Sequence, residues 1–346
     1  MTNTTTTHTP APIERIQQRH LGEGGPLVSA IGLGCMGMSE FYGAIDNARN
    51  LRTLQHALDQ GINFLDTADA YGPYTNEELL GKAIAGRRNT IFLATKCAIV
   101  RDPANPKRRE IDNRAAFIKQ SCEASLRRLK IDTIDLYYLH RHNPDSASIE
   151  EAVGAMAELV REGKVRYVGL SEVGVKTLER AHRVHPITAL QTEYSLWSRE
   201  PEADGTLAFC RENKIGFVPY SPIGRGFLSG AIRRFEDLEA DDFRRELPRF
   251  QGENFGKNLE IVAELQLLAK ARGVSATQLA IAWVLAQGRT IVPIPGTTRV
   301  EHLDELLAAT RLKLSEQEIE QISSVFPVGQ AAGHRYYQNM VKYLGR

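Results

Sequence analysis

The runs INFLDT, at residues 62–67, and TIFLATK, at residues 90–96, are short and rich in β-branched and aromatic side chains. Each follows a segment with helix-like character, an alternation that is typical of parallel strands connected by helices. The pattern continues toward the C-terminus. Five further runs of this kind are TIDLYYLH at 133–140, VRYVGLS at 165–171, TALQTEY at 188–194, IGFVPYS at 215–221 and TIVPIPG at 290–296.

A first strand near residues 30–34 raises the number of predicted strands to eight. Eight strand–helix units favour a closed parallel barrel, because an open, doubly wound sheet usually has fewer strands and one ligand crevice at a topological switch point. We therefore predict an α/β protein, a (β/α)8 TIM barrel that forms a single domain over residues 13–346.

Three segments depart from this alternation of strands and helices. Residues 19–34, RHLGEGGPLVSAIGLG, predict an N-terminal β-hairpin that leads into the first strand. Residues 225–258 predict a long surface loop after the seventh strand, whose charged run at 236–245 is typical of a solvated helix face or a mobile lid. The C-terminal extension, 325–346, carries aromatic side chains that suit the barrel mouth or a second subunit: Phe326, His334, Tyr336, Tyr337 and Tyr343.

The composition of the 346 residues is that of an ordinary globular protein, with 42% hydrophobic and 25% charged residues and a net charge of +1. No basic stripe marks a nucleic-acid surface, and no apolar run of about 18 residues marks a membrane span. Residues 1–12 predict a disordered polar tail without the character of a signal peptide, so a cytoplasmic location is expected. The four cysteines, Cys35, Cys97, Cys122 and Cys210, stand apart and are expected to be buried thiols.

Polar residues end the second, third and fourth predicted strands. They are Asp66, with Tyr71 five residues later, then Lys96 and His140. Reactive groups gather at the carboxyl ends of barrel strands. A phenol titrates near pH 10, so it is a weak proton donor unless a cation such as Lys96 lowers its pKa, and Asp66 would hold that cation. With His140 to orient a carbonyl oxygen, the four residues predict a device that delivers a proton to a carbonyl.

The later strands end in groups that suit a flat amide and a phosphate. Ser171, Glu172 and Gln191 can fix a carboxamide, and the Tyr220 ring can stack under a nicotinamide. The eighth strand runs into residues 295–299, PGTTR, just before a helix, a setting that favours a phosphate group.

These motifs resemble the aldo-keto reductase family over about residues 18–325. The motifs that carry the resemblance are LDTADAYG, ATK, LYYLH, GLSE, LQTEYS, PYSPIGRGFLSG and PIPGTT, each at an expected strand end. GLGCMGMSEFYG, HRHNPD and SPIGRGFLSG further resemble the branch that contains auxin-induced-protein-like and pyridoxal reductases.

The resemblance implies a metal-free reduction of aldehydes and ketones by NADPH, with Asp66, Tyr71, Lys96 and His140 as the catalytic tetrad and Tyr71 as general acid. The partner is then a small-molecule carbonyl substrate, and the protein a monomer or homo-oligomer that engages neither nucleic acid nor membrane. The cofactor-binding residues that the resemblance implies are Met36, Gly37, Ser171, Glu172, Gln191, Tyr220, Ser221, Pro222, Ile223, Gly224, Arg225, Gly296, Thr297, Thr298, Arg299 and Glu305. Relative to many members, Glu172 stands in place of asparagine, His302 in place of arginine and Leu306 in place of asparagine.

Competing interpretations of single motifs are weaker. Residues 32–37 fit G-x-G-x-x-G, but no phosphate-capping helix or well-spaced acidic residue follows as a dinucleotide fold requires. His140 and His142 lack a third metal ligand at a familiar spacing. Glu172 suits a helix cap as well as a cofactor.

Two other classes of protein compete with the carbonyl reductase. One is a cofactor-binding regulatory subunit similar to potassium-channel β-subunits. The other is a short-chain dehydrogenase, which needs a tyrosine and a lysine four residues apart on a helix. No tyrosine of this sequence has a lysine at that spacing. Candidate walls of the substrate pocket are Trp197, Phe41, Tyr42, Ile99 and Arg101.

Overall fold

The computed structural model describes residues 16–102, 104–337 and 344–345. The polar tail predicted over residues 1–12 and Tyr343 therefore lie outside the described residues. Within these ranges, no helix combines the length and the apolar character that crossing a bilayer requires.

Parallel strands form the centre of the molecule. The strands of the described chain are β1 (Gln18–His20), β2 (Leu27–Ser29), β3 (Leu33–Gly34), β4 (Phe64–Asp66), β5 (Phe92–Cys97), β6 (Ile99–Asp102), β7 (Asn105–Ile111), β8 (Ile134–Leu139), β9 (Val165–Ser171), β10 (Ile187–Glu193) and β11 (Gly216–Tyr220). Seven of them pair in the order β11-β10-β9-β8-β5-β4-β3, with every neighbouring pair parallel. They are the first seven strands that the sequence pattern predicts.

The eighth strand closes the sheet through a few backbone contacts rather than a continuous ladder. Ile291 and Ile294 form parallel bridges to Phe217 and Tyr220 of β11. On the other side, the amides of Gly32 and Gly34 donate to the carbonyls of Pro293 and Pro295 at 2.9 and 3.0 Å. The fold is therefore the predicted (β/α)8 TIM barrel.

Helices surround the strands on the outside. They are α1 (Asn47–Asp59), α2 (Thr75–Ala83), α3 (Ala115–Leu129), α4 (Ile149–Arg161), α5 (Val175–Val184), α6 (Glu200–Ala203), α7 (Thr206–Glu212), α8 (Gly252–Ala271), α9 (Ala276–Ala286), α10 (Val300–Ala309) and α11 (Glu316–Val325). In α4, Ser148 caps the N-terminus by accepting from the amide of Glu151, and Ile149, Val153 and Met156 are buried against the sheet. These buried positions follow the helical spacing of apolar residues seen in the sequence.

The N-terminal hairpin closes one end of the barrel. β1 and β2 pair antiparallel, as predicted. Leu21 and Val28 belong to the cluster inside the barrel, with Phe64, Leu136 and Val218. The hairpin backbone is held where strands begin: the amide of Glu23 donates to the carbonyl of Lys214, just before β11. Because this end is filled, ligands have access only to the opposite end.

The opposite end carries two long connections that build its walls. β6 and β7 form an antiparallel hairpin directly after β5. The segment after β11 runs over residues 221–251 and then enters α8 at Gly252, so the predicted loop of 225–258 ends earlier than expected. Its charged run is not a helix face but contains short 3₁₀ turns; Glu236, Asp237, Glu239 and Asp241 are exposed there, while Leu238 and Asp242 are buried.

All four cysteines are buried inside the molecule, as expected from the sequence. Cys35, Cys97 and Cys122 have no exposed surface, and Cys210 is 1% exposed. Cys97, Cys122 and Cys210 lie in the largest apolar cluster, between the sheet and its helices.

Candidate active site

The polar residues that end neighbouring strands meet at the open end of the barrel. Asp66 is the last residue of β4, Lys96 lies near the end of β5, and His140 follows β8 directly. Since β4 pairs with β5 and β5 with β8, the three side chains are adjacent. Tyr71 lies in the turn between β4 and α2 and is 9% exposed, facing the same space.

The Lys96 ammonium group connects Asp66 to Tyr71 by hydrogen bonds. It donates to Asp66 Oδ1 at 2.5 Å, to the carbonyl oxygen of Thr67 at 2.8 Å and to the Tyr71 hydroxyl at 3.2 Å. Lys96 is fully buried, so its three protons and these three acceptors define its position. Asp66 is fixed in turn, because Gln191 Nε2 donates to its Oδ2 at 2.7 Å.

His140 faces Tyr71 across the cluster. The two rings lie edge to face, with centroids 5.7 Å apart and an interplanar angle of 85°. His140 is 7% exposed, and its Nδ1 has no hydrogen-bond partner among the described residues. Tyr71 and His140 therefore border the same region of the cavity.

Burial dominates the electrostatics of these groups. It raises the pKa of Tyr71 well above the ordinary range, and the Asp66 carboxylate raises it further. We expected Lys96 to bring the pKa of Tyr71 below its ordinary value, but the net direction is the opposite, because burial and the Asp66 carboxylate together raise it. Burial likewise lowers the pKa of Lys96, while Asp66 opposes that change. The phenol thus holds its proton at neutral pH.

His140 is held neutral. Burial lowers the pKa of its imidazole well below 6.5, and the positive charges of Arg141, Lys96 and Arg109 lower it further. A neutral imidazole has one donor and one acceptor nitrogen, so it can hydrogen-bond a carbonyl without adding a charge.

This buried neutral histidine predicts a pH-dependent stability. Below about pH 6.5 the unfolded chain binds a proton at His140 and the native chain does not, so the free energy of unfolding falls as the pH decreases. We expect the stability difference between wild type and His140→Gln to shift against wild type from about pH 7.5 to about pH 5.5. Urea unfolding at each pH measures it, and a difference that stays constant would contradict the neutral state.

A cavity of about 880 Å³ extends from this cluster across the barrel mouth. It is lined by most of the residues that were assigned to a cofactor: Met36, Gly37, Ser171, Gln191, Tyr220, Ser221, Pro222, Ile223, Arg225, Gly296, Thr297, Thr298, Arg299 and Glu305. Two assigned residues, Glu172 and Gly224, are not among its lining residues. Phe41, Tyr42, Ile99 and Arg101, which were predicted as walls of the substrate pocket, also line the cavity.

The start of α10 borders the cavity. α10 begins at Val300, and no side chain caps its N-terminus. Arg299 and His302 line the cavity there. Free amides at a helix start, together with a guanidinium group, suit a phosphate.

Comparisons with known proteins place this architecture in a family. The model of the aldo/keto reductase family matches residues 30–326. This chain belongs to the aldo/keto reductase family. Aldo-keto reductase yakc [NADP(+)] of Schizosaccharomyces pombe is 43% identical over 317 residues, 90% of this chain and 93% of that protein. Probable aldo-keto reductase 1 of Glycine max is also 43% identical, over 94% of this chain and 93% of that protein.

Solved structures agree with the family assignment. A glycerol dehydrogenase from Gluconobacter oxydans superposes with a TM-score of 0.81 at 27% identity, covering 95% of this chain and 96% of that one. An aldo-keto reductase from Klebsiella pneumoniae in complex with NADPH superposes with a TM-score of 0.71 at 27% identity, covering 93% and 99%. The branch within the family that the motifs indicate stays a prediction.

The C-terminal segment of this aldo/keto reductase contributes residues to the site that the sequence analysis did not assign to it. Arg335 donates two hydrogen bonds to the Glu172 carboxylate, at 2.8 and 2.6 Å, and both side chains are buried. Glu172 therefore does not cap a helix, since α5 starts after Gly174 without a side-chain cap. The amide of Gly345 donates to the Glu172 carbonyl at 2.8 Å, which holds the described end of the segment on the barrel.

Tyr336 brings an aromatic wall to the same place. Its hydroxyl lies 2.9 Å from that of Tyr220, and Arg225 stacks 4.6 Å from its ring centre. Tyr336 and Tyr337 line the cavity, so these aromatics of the extension lie across the barrel mouth. Only their clustering in a segment without helical or strand periodicity hinted at this position.

The prediction that Trp197 forms a wall of the substrate pocket in this aldo/keto reductase was wrong. It is 3% exposed, packs 5.2 Å from Phe227 and is not among the residues that line the large cavity. Its ring lies against Gly224, where a Cβ atom would approach it within 2.5 Å. Trp197 supports the loop after β11 from behind.

Proposed function

We propose that this protein reduces aldehydes and ketones to alcohols with NADPH, and that Tyr71 is the general acid. The observation that carries the proposal is the buried Lys96 ammonium group, which contacts Asp66 and the Tyr71 hydroxyl at once, while Asp66, Tyr71 and His140 line the large cavity. Among the described residues, no cluster of three or more metal-binding side chains is found.

The cavity fits a nicotinamide dinucleotide phosphate. Gln191 and Ser171 are the polar groups beside the catalytic cluster, and the Tyr220 ring offers a flat surface next to them. Arg225, whose φ of 58° is in the left-handed region, is held by Glu193 at 2.9 Å and lines the middle of the cavity. The uncapped start of α10 suits the phosphate of the adenosine end. When bound, NADPH supplies the hydride.

The residues of the chain then deliver the proton. The Tyr71 hydroxyl donates to the carbonyl oxygen and passes its proton to that oxygen as negative charge develops there. Lys96, 3.2 Å away, stabilises the phenolate that remains, and Asp66 keeps Lys96 charged. Neutral His140 orients the same carbonyl oxygen by a hydrogen bond. The products are an alcohol and oxidised cofactor.

A titration of the purified protein with NADPH and with NADH tests the cofactor assignment. Trp197 lies behind the loop that would hold the pyrophosphate, so its fluorescence should respond to binding. We expect micromolar affinity for NADPH, and a weaker affinity in Arg299→Met, because the removed guanidinium lines the phosphate end. Arg289→Met is the matched control, since Arg289 is exposed and does not line the cavity.

Turnover then tests the reaction itself. NADPH oxidation is followed by absorbance with nitrobenzaldehydes, methylglyoxal and pyridoxal. Consumption of NADPH with any of these carbonyls supports the reductase. Tight binding without turnover would favour a regulatory subunit similar to potassium-channel β-subunits, and no binding at all would refute the cofactor assignment.

A further inference from the structure

The β6–β7 hairpin forms one wall of the cavity near the catalytic cluster. It begins directly after Lys96 and Cys97 of β5, and the amide of Asp112 donates to the carbonyl of Ala98 at its base. Arg101 and Arg109, which pair across the two strands, both line the cavity. The hairpin therefore brings two guanidinium groups to the substrate end.

The two arginines differ in their partners. Arg101 is neutralised by Glu40, through hydrogen bonds of 3.1 and 3.0 Å, and it also donates to the carbonyl of Ala70 at 2.7 Å. Arg109 has no carboxylate partner among the described residues. Its guanidinium lies 5.1 Å from the ring centre of Phe41. An aromatic surface positions a guanidinium group and leaves its N–H donors available for a ligand.

The aromatic support is itself built into the fold. Phe41 has a φ of 81°, in the left-handed region that bulky side chains rarely adopt. It is held there by Phe243, whose ring packs edge to face at 5.2 Å and whose amide donates to the Phe41 carbonyl at 3.0 Å. Arg109 therefore rests on a rigid platform, not on a mobile side chain.

A second guanidinium group without a carboxylate hydrogen-bond partner among the described residues lies directly after β8, beside His140. Arg141 is 6% exposed, lines the cavity and donates to the His140 carbonyl at 2.6 Å and to Ser171 Oγ at 3.1 Å. Its Nε and the Nδ1 of His140 have no partner among the described side chains and backbone. Arg141 thus places a guanidinium group without a carboxylate hydrogen-bond partner among the described residues directly beside His140.

The phosphates of the cofactor do not account for Arg109. The groups that suit those phosphates, Arg299 and the start of α10, follow the eighth barrel strand, whereas the hairpin follows the third. Arg109 lies instead on the side of His140, since its charge is one of those that lower the pKa of that imidazole.

We infer that the carbonyl substrate carries an anionic group, a carboxylate or a phosphate ester, and that Arg109 binds this group while the carbonyl faces Tyr71 and His140. The inference rests on the proposed carbonyl reduction and names the substrate class for the same site. Arg109 is thus a specificity-determining residue: it discriminates between charged and neutral carbonyls and takes no part in proton transfer.

Matched pairs of aldehydes test this role. The carboxylate pair is para-carboxybenzaldehyde and methyl para-formylbenzoate, and the phosphate pair is pyridoxal phosphate and pyridoxal. We expect wild type to prefer the anionic member of at least one pair in kcat/KM. In Arg109→Met that preference should fall by about 10- to 100-fold, the size expected for a hydrogen bond to a charged group. Turnover of the neutral member should change little, and Arg289→Met should keep the preference.

Two further measurements, one on Arg109→Lys and one at a raised salt concentration, distinguish recognition of the substrate charge from a structural role of Arg109. Arg109→Lys should restore part of the preference, and more of it for phosphate than for a carboxylate, which an arginine binds through two parallel hydrogen bonds. Added KCl should weaken the preference in wild type by screening. Equal losses for both members of a pair in Arg109→Met, or no preference in wild type, would overturn the inference.

Calorimetry decides the question even if no aldehyde is reduced. It measures binding of para-hydroxymethylbenzoate and of its methyl ester to the wild-type protein and to Arg109→Met, with NADP+ present. Binding of the anion that weakens in Arg109→Met supports the anion site whatever the turnover. Absence of turnover with all aldehydes would refute the proposed reduction alone, and anion binding that does not depend on Arg109 would refute the inference alone.

Discussion

Tyr71→Phe is expected to lower kcat by about 100- to 10,000-fold, the range that a general acid contributes. The variant removes only the hydroxyl that lies 3.2 Å from Lys96 Nζ, and the phenyl ring can keep its packing against His140. Because the hydroxyl acts in the chemical step, kcat and kcat/KM should fall together, while the affinity for NADPH changes by no more than about twofold.

Tyr137→Phe is the matched control for this experiment. Tyr137 is also a buried tyrosine at a neighbouring strand, but its hydroxyl lies 3.4 Å from the carbonyl of Ile118 in α3, on the outer side of the sheet. Steady-state and single-turnover measurements of NADPH oxidation compare the two variants. A Tyr71→Phe enzyme that retains wild-type turnover would refute the role of Tyr71 as the acid.

Arg335→Met is expected to destabilise the protein by about 3–5 kcal/mol, the usual effect of removing one partner of a buried ion pair. The Glu172 side chain has no exposed surface, and in this variant its carboxylate would lose both hydrogen bonds from Arg335. Tyr220 would also lose its contact with Arg335 at 3.4 Å. Urea unfolding, monitored by tryptophan fluorescence, measures the change.

The double variant Glu172→Gln/Arg335→Met identifies the cause of that loss. If the unpaired charge is responsible, the neutral amide should restore most of the stability, because no ion remains buried without a partner. A double variant as unstable as Arg335→Met would show that Arg335 acts through packing instead. Both variants should also be assayed for activity, because Arg335 directly precedes Tyr336, which lines the cavity at the barrel mouth.

The barrel was predictable because its strands repeat one simple pattern. Runs such as INFLDT and TIFLATK are apolar on both faces, and buried parallel strands with helices outside require that composition. The eighth strand was predicted from the same pattern, yet it forms only bridges. Pro293 and Pro295 lack amide protons, so that segment cannot donate at each position of a ladder.

The juxtaposition of Asp66, Lys96 and His140 was predictable for a similar reason. Each lies at or directly beside the end of a strand, and the ends of adjacent parallel strands lie together whatever the helices between them do. The direction of the Tyr71 pKa shift was not predictable, because its largest cause is the burial of the phenol, followed by the Asp66 carboxylate, and the sequence does not give the extent of that burial.

The contacts of the C-terminal extension could not be read from the sequence. Arg335 and Glu172 are 163 residues apart, and neither position carries a periodic signal that aligns them. Trp197 was misplaced because an amphipathic ring suits a pocket edge and a core equally well. Phe227 and Arg249, which enclose it, belong to the irregular segment after β11.

The burial of the cysteines makes selective labelling of this protein straightforward. Thiol reagents attack the thiolate, and burial raises the pKa of Cys35 and Cys97 and raises that of Cys122 to about 12. A new cysteine in place of Val328, which is 49% exposed at the start of the C-terminal extension, would therefore be the site that reacts with a maleimide dye. The position of the extension could then be followed by fluorescence during turnover, with every native cysteine left in place.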